Sequence, residues 1–383
     1  MDIRAAYIHF PFCIHKCPYC DFVSFEKRED KIDEYVLALC QEIQVVSQDK
    51  MDRSFPLQTI YFGGGTPSLI MPDHIAAIMQ KLAVCFGIDD HAEITLEANP
   101  GTVSLDTLAA YHAAGVNRLS LGIQSFSDPI LKRIGRIHDS KQSLLSISDA
   151  RKAGFENISC DLMTGLPGQT LDDAMESLAI LLASGVPHIS HYALTLEEDT
   201  KFYDMYCKHE ELLPDSETER EMYHQMIRKL SSSGYHHYEI SNCALPGYES
   251  RHNVNYWKAN PYYGFGVGAH AYRKNCRLGN TTDLDKYLHI MRSPVVSTDE
   301  WIDSCEVITS DESEREYMLL SFRLMEGVSE EEFFGRYGKR MESIFTKELT
   351  GLTRKGLIES EKNHYFLTQK GLDFANEVFR EFV

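Results

Sequence analysis

Along the chain, short runs of apolar and β-branched residues alternate with stretches in which apolar positions recur every three or four residues. Residues 5–10, 57–62, 93–97, 118–123, 157–162 and 188–194 have the length and composition of strands. Between the first two, Ile32, Tyr35, Val36, Leu39, Cys40 and Ile43 return at helical spacing, and helices of the same kind fit 73–86, 105–114, 140–153 and 171–184. Gly115, Gly154 and Gly185 stand where the last three of these helices should stop, as left-handed C-terminal residues do. Parallel neighbours need a crossover, and a helix supplies one. Six such units predict an α/β fold whose parallel sheet either curves into a partial (β/α)6 barrel or stays open and doubly wound. In both, functional residues belong at the C-terminal ends of the strands. Gly63-Gly64-Gly65-Thr66 follow the second strand, Glu97 ends the third, Gln124 follows the fourth and Asp161 lies near the end of the fifth.

Past Thr200 the pattern turns helical and irregular, with a charged stretch at 210–221 and a Gly- and aromatic-rich segment at 248–272. Residues 309–383 read as a separate unit: three amphipathic helices near 313–325, 329–337 and 341–354, strands at 357–360 and 365–368, and a last helix to Phe382. That order resembles a winged helix. Such modules often bind DNA, but Glu312, Glu314, Glu316, Glu330, Glu331 and Glu332 repel phosphate, so a packing or interaction role is expected. The expected units are therefore 1–200, 201–308 and 309–383.

Composition narrows the function. With 43% apolar and 25% charged residues the 383-residue chain is globular in type. Lys and Arg number 38 against 57 Asp and Glu, a net charge of −19, which leaves no electrostatic footprint for nucleic acid. No run of about 18 apolar residues occurs, and the N-terminus lacks the basic-then-apolar pattern of a signal peptide. A cytoplasmic location is expected, and there clustered cysteines serve as metal ligands or redox groups.

Three of the ten cysteines, Cys13, Cys17 and Cys20, fall at C-x3-C-x2-C spacing on the loop after the first strand. Three thiolates on one loop can hold three corners of a [4Fe–4S] cubane and leave one iron open. Spacing alone also admits a zinc site completed by His9 or His15, or three unconnected thiols.

The residues around them shift the weight towards the cluster through a resemblance. Tyr7-Ile8-His9-Phe10-Pro11-Phe12-Cys13 through Cys20-Asp21-Phe22 resembles the radical S-adenosylmethionine (SAM) superfamily, and within it the branch of oxygen-independent coproporphyrinogen III oxidases and HemW haem chaperones. The resemblance continues through Tyr61–Ser68, Glu97–Pro100, Asn117–Phe126, Gly135–His138 and Asp161–Thr170. It implies a [4Fe–4S] cluster on Cys13, Cys17 and Cys20 whose open iron chelates SAM, with one electron cleaving an S–C bond of SAM.

Further roles follow from the matched positions. Gly64, Gly65 and Thr66 would cradle the methionyl end, where glycine lets the backbone approach closely; alone, three glycines are simply a tight turn. Glu97 would accept from the ribose hydroxyls, and otherwise reads as a strand-edge acid. Gln124 and Arg136 would hold the ribose and the carboxylate of SAM, the latter through a guanidinium fork; without the resemblance Arg136 reads as a surface cation. Asp161 would be a further SAM contact, Tyr7 would lie beside the cluster, and Tyr19 and Ala193 would pack around SAM.

Two features separate the branches. The oxidases continue the cysteine motif with a fourth Cys two residues after the third, where this chain has Phe22, and they carry a longer segment before the cluster. His252-Asn253-Val254-Asn255-Tyr256-Trp257 in turn matches the H-N-x-x-Y-W motif linked with haem in the chaperones. His252 can ligate haem iron while Asn253, Tyr256 and Trp257 surround a porphyrin, or His252 can be a hydrogen-bonded structural group. The resemblance thus implies a haem-binding chaperone that passes haem to acceptor proteins, among them respiratory proteins at the membrane, and draws electrons from a low-potential donor such as flavodoxin or ferredoxin. Coproporphyrinogen III dehydrogenation and a cluster-bearing scaffold without SAM chemistry are the alternatives.

Overall fold

The computed structural model describes residues 2–48 and 54–383. Strand β1 (Ile3–Phe10) enters the cysteine loop, whose ends pair in parallel as β2 (Phe12–Cys13) and β3 (Phe25–Glu26). There follow β4 (Ser54–Gly64), β5 (Ile88–Ala98), β6 (Arg118–Gln124), β7 (Asn157–Thr164) and β8 (His188–Ala193). The crossovers are α1 (Ile32–Ser47), α2 (Pro72–Phe86), α3 (Leu105–Ala113), a consecutive α4 (Asp128–Arg133) and α5 (Ser140–Lys152), and α6 (Leu171–Ser184). The six strands pair in parallel in the order β1-β4-β5-β6-β7-β8. The expected parallel architecture is present, and it takes the curved form. Glu97 of β5 interacts electrostatically with Asp161 two strands away and with Tyr192 of β8, which a flat sheet would keep apart.

Local chemistry sets the helix limits. Ser104, Asp139 and Thr170 accept from backbone N–H groups at the starts of α3, α5 and α6, each as half of a capping box. Gly115, Gly154 and Gly185 adopt φ of +100°, +102° and +69° just past the ends, as expected.

Because side chains alternate along a strand, the sheet has two chemically distinct faces. Ile8, Phe62, Leu96, Leu121, Cys160 and Ile189 are fully buried in the main core, beneath the helices. The intervening positions, Tyr61, Thr95, Arg118, Ser159, Asp161 and His188 among them, line a polar interior.

Residues 201–308 complete both edges of this sheet. Helices α7 (Lys201–Tyr206) and α8 (Ser216–Ser232) lead to an antiparallel hairpin, β9 (His236–Glu239) and β10 (Asn242–Ala244), on β8. After α9 (Arg251–Trp257), strand β11 (Tyr263–Phe265) adds a seventh parallel strand beside β1. A Cβ on Gly264 would collide with the His270 carbonyl, so the glycine-rich segment is a buried crossover. Strands β12 (His270–Arg273), β13 (Cys276–Asn280) and β14 (Ile302–Val307) form a small antiparallel sheet around α10 (Leu284–Met291). Tyr263, Phe265, Tyr287 and Trp301 belong to the same core as the barrel.

The C-terminal unit has a core of its own, with Phe322, Phe333, Phe345, Leu352 and Phe382. Its order is α11 (Ser310–Ser321), β15 (Val328–Ser329), α12 (Glu330–Tyr337), α13 (Met341–Ile344), α14 (Thr346–Lys355), β16 (Ile358–Glu361), β17 (His364–Leu367), α15 (Gln369–Asp373) and α16 (Ala375–Arg380). The strands assemble as β15-β17-β16, a winged-helix-like arrangement. Helix α11 stops at Ser321 instead of running to 325, because the next residues bond to the β9–β10 hairpin: Ile240 N–H donates to Arg323 O and Met325 N–H to Tyr238 O. The expected third helix is split at Phe345, whose φ/ψ of −105°/29° leaves the helical region. Among the described residues, no helix is long and apolar enough to cross a membrane.

Candidate functional site

A cavity of about 430 Å³ opens at the C-terminal ends of the strands, lined in part by Cys13, Cys17, Cys20, Tyr19, Gly64, Gly65, Thr66, Glu97, Gln124, Arg136, Asp161 and Ala193. The parallel topology brings these together from five strand ends and the cysteine loop. The loop is shaped by a turn from Cys20 N–H to Cys17 O at 3.1 Å and closed by Phe25 N–H to Pro11 O at 2.7 Å. Thr66 Oγ1 donates to Cys13 Sγ at 3.5 Å, and Arg136 Nη1 to Cys17 Sγ at 3.6 Å. Burial raises the Cys13 thiol and pushes Cys20 up to about 11, so both hold their protons until a metal displaces them. Phe22, in the place of a fourth cysteine, also lines the cavity and is 57% exposed.

Against Cys13 lies a floor that needs glycine. A Cβ on Gly65 would sit 2.7 Å from Phe12 O, 2.9 Å from Phe10 O and 3.0 Å from Cys13 Sγ. Gly64 has φ +114° and its N–H donates to Glu97 Oε2 at 3.1 Å. Gln124 occupies the left-handed region at φ +68°, where β6 slips register against β7. Such a conformation is costly for a residue with a Cβ and turns this side chain into the cavity. Arg136 is pinned by Nη2 to Asn99 Oδ1 and to Gly122 O, and its buried Nε has no hydrogen-bond partner.

Two carboxyl groups face each other across the floor. Glu97 accepts from Tyr61 Oη at 2.7 Å and from Gly64 N–H, yet burial, with Asp161 nearby, raises it to about 7. Burial raises Asp161 as well. Two buried acids whose carboxyl groups are both raised, one anchored guanidinium and a backbone cradle suit a zwitterionic ligand with an added positive charge and vicinal hydroxyls. Three thiols without a fourth suit a cluster with one open iron. The donor set therefore fits a [4Fe–4S] cluster and SAM.

Tyr7 lies one layer below, hydrogen-bonded to His9 Nδ1 at 3.0 Å and stacked on Tyr61 at 6.1 Å. It does not line the cavity. Sequence reasoning missed Asn99, Ser120 and Tyr192, which do. Asn99 bonds both Arg136 and Thr66, and its position two residues after Glu97 at a strand end was an available signal. Tyr192 alternates with His191 and so points inward, which only the register of β8 reveals.

The H-N-x-x-Y-W residues are elsewhere, on α9, which closes the N-terminal end of the barrel. Glu93 accepts from the backbone N–H groups of Arg251 and His252, at 3.1 and 3.0 Å. His252 is fully buried, stacked on Tyr61, with Nδ1 2.8 Å from Thr59 Oγ1 and Nε2 2.8 Å from Tyr256 Oη. Burial drives its pKa down to about 3. Asn253 N–H donates to the Ser250 cap, and Trp257 lies 4.3 Å beneath the Arg323 guanidinium with its buried indole nitrogen unpaired.

Comparison with known proteins agrees with this geometry. Residues 7–207 match the radical SAM superfamily and residues 308–374 the HemN C-terminal domain. The chain is 39% identical to the haem chaperone HemW of Bacillus subtilis over 100% of its length and 99% of the relative's. It is 33% identical to HemW of Escherichia coli, covering 98% and 97%. The solved structure of E. coli coproporphyrinogen III oxidase (HemN) superposes with a TM-score of 0.85 at 22% identity, covering 100% of this chain and 90% of that one, a likeness of fold.

Proposed function

The chain belongs to the radical SAM superfamily and, within it, to the HemW haem chaperones, and from that premise we propose how its two ends divide the work of moving haem. The protein is a haem chaperone. Its mouth holds SAM on a cluster carried by Cys13, Cys17 and Cys20, and α9 holds the haem. The observation that carries the reading is the cavity in which those three thiols face Glu97, Gln124, Arg136 and Asp161, with Phe22 where the oxidases have cysteine.

A [4Fe–4S] cluster, when bound, supplies an open coordination position and an electron. The chain does the rest. Arg136, held by Asn99 and Gly122 at the cavity wall, presents its guanidinium to a carboxylate, Glu97 accepts from ribose hydroxyls, and Gly64 and Gly65 let the backbone approach. Ile14, Phe22 and Ile137, all at least half exposed, form an apolar rim that an electron donor such as flavodoxin or ferredoxin can cover.

At the other end, His252 reaches haem iron by giving up its bonds to Thr59 and Tyr256 and swinging out of the barrel floor. The exchange of two hydrogen bonds for one Fe–N bond makes haem retention reversible, as delivery to acceptor proteins, including those in membranes, requires. Anaerobically reconstituted protein is expected to bind haem, pass it to an apo-acceptor and leave coproporphyrinogen unconsumed; sustained coproporphyrinogen turnover would overturn the reading. In haem titrations, His252→Ala weakens binding. Tyr256→Phe, which removes one competing bond worth about 1 kcal/mol, tightens it severalfold. Unchanged affinity in both variants would move the haem site away from α9.

A further inference from the structure

On the outer face of the barrel, where β8 meets the hairpin, the pattern of apolar positions is broken. Cys160, Leu162 and Ile189 are buried there, but the corresponding position two residues after Ile189 is His191, itself only 4% exposed. Its Nε2 is buried and has no hydrogen-bond partner. Directly across the adjoining strands, Cys243 of β10 is in register with Ile189 on one side and with His237 of β9 on the other. Ligand atoms of His191, His237 and Cys243 all lie within 4.8 Å of one another, and among the described residues this is the sole group of three metal-binding side chains so gathered.

We propose that His191, His237 and Cys243 form a zinc site, separate from the cluster cavity and facing away from it. Two imidazoles and a thiolate are a borderline-soft set that zinc accepts in tetrahedral geometry, with the fourth position left to water. The His237 ring is held in place by its Nε2, which lies 3.2 Å from Ile240 O and 3.5 Å from Tyr223 Oη. Burial keeps both imidazoles neutral, holding His191 at about 3 and His237 below its ordinary value. It also keeps the Cys243 thiol protonated, and zinc entry therefore releases one proton as the S–H bond is replaced by S–Zn. Tyr223 of α8 closes the site, its ring centroid 5.3 Å from that of His191 and 6.2 Å from that of His237.

The position also gives the ion a purpose. Hairpin β9–β10 is the surface on which the C-terminal unit docks, through the Ile240–Arg323 and Met325–Tyr238 backbone bonds and the Glu239–Leu324 bridge. Zinc would staple that hairpin to β8 and so fix the docking platform.

The test loads the full chain with its cluster anaerobically, dialyses it against Zn2+ in the presence of a weak chelator, and counts metal by mass spectrometry. One zinc per chain in addition to cluster iron is expected, with at least a tenfold loss of zinc affinity in Cys243→Ser and in His237→Gln. Because Cys243 is buried and its variant can misfold, a second measurement leaves the site untouched. The full chain with Cys13, Cys17 and Cys20 all replaced by alanine is titrated with Co2+, and should develop thiolate-to-cobalt charge-transfer absorption and the intense visible bands of a four-coordinate ion. No retained zinc in the cluster-loaded chain, equal zinc in the variants, or cobalt spectra without a thiolate band would overturn the proposal.

Discussion

Cys17→Ala protein, reconstituted with iron and sulfide, is expected to lose the cluster and to bind SAM at least ~100-fold more weakly, since removing a ligand costs more than the 10- to 100-fold typical of removing a ligand's support. The loop offers no replacement: the position where a further cysteine would stand is Phe22, and Cys13 and Cys20 alone cannot hold three corners of a cubane. The apo-protein should nevertheless melt within about 3 °C of wild type, because the Cys17 side chain is only partly buried and its thiol accepts only a weak bond from the Arg136 guanidinium at 3.6 Å, beside Tyr19. Cys13→Ala should cost more stability, since Cys13 is 7% exposed and packs under Gly65 and Thr66. Iron content, SAM binding by calorimetry and thermal unfolding of the apo-forms separate these effects. Retention of a SAM-responsive cluster in Cys17→Ala would remove this cysteine from the site.

Much of this site was legible because strand periodicity and short chemical motifs agree. The rule that function gathers at C-terminal strand ends places Gly64, Glu97, Gln124 and Asp161 in one mouth from the sequence alone. What escaped was information carried by pairing. Strand β11 is three residues long, and its glycine is there because His270 passes against it, a contact no local pattern encodes. The inward direction of Tyr192 and the outward direction of His191 depend on the register of β8 against β7. The burial of His252 was invisible for the same reason. A histidine on a seven-residue helix reads as available until the helix is found across the barrel floor, with Thr59 and Tyr256 on its two nitrogens. The early end of α11 is likewise tertiary, since hydrogen bonds to the hairpin compete with one more helical turn.

The polar barrel interior links these observations. A sheet with helices on its outer face alone can keep hydrophobic residues on that face and use the inner face for ligands and buried networks. The consequence is that acids and bases are held out of water before any ligand arrives. Glu97 and Asp161 are both raised, while His188 and His252 are both lowered. Such a site is most stable in its least charged form, and that is not the form in which it binds a cation best.

Glu97 makes the conflict measurable. Its pKa of about 7 in the fold, against the ordinary 4.5, means that the folded state holds this proton more tightly than the unfolded chain. The stability gained from that proton is fully present below pH 4.5 and is lost as pH rises through 7. Ligand binding should run the other way, because on the proposed reading the carboxylate, not the acid, would accept from two ribose hydroxyls and attract a sulfonium. SAM affinity of the cluster-loaded protein should therefore fall roughly tenfold from pH 8 to pH 6, following the ionised fraction of a group with its midpoint near 7. Glu97→Gln keeps the shape, the Gly64 contact and the Tyr61 hydroxyl as partners but removes the charge. It should bind SAM about 10- to 100-fold more weakly at pH 8, the loss of one or two charge-assisted hydrogen bonds, with little dependence on pH. The same variant, without ligand, should be more stable than wild type at pH 8, and the difference should vanish towards pH 4. A Glu97→Gln protein that is destabilised at pH 8, or that keeps the wild-type slope of SAM affinity between pH 6 and 8, would show that another group, with Asp161 the first candidate, sets the titration of this site.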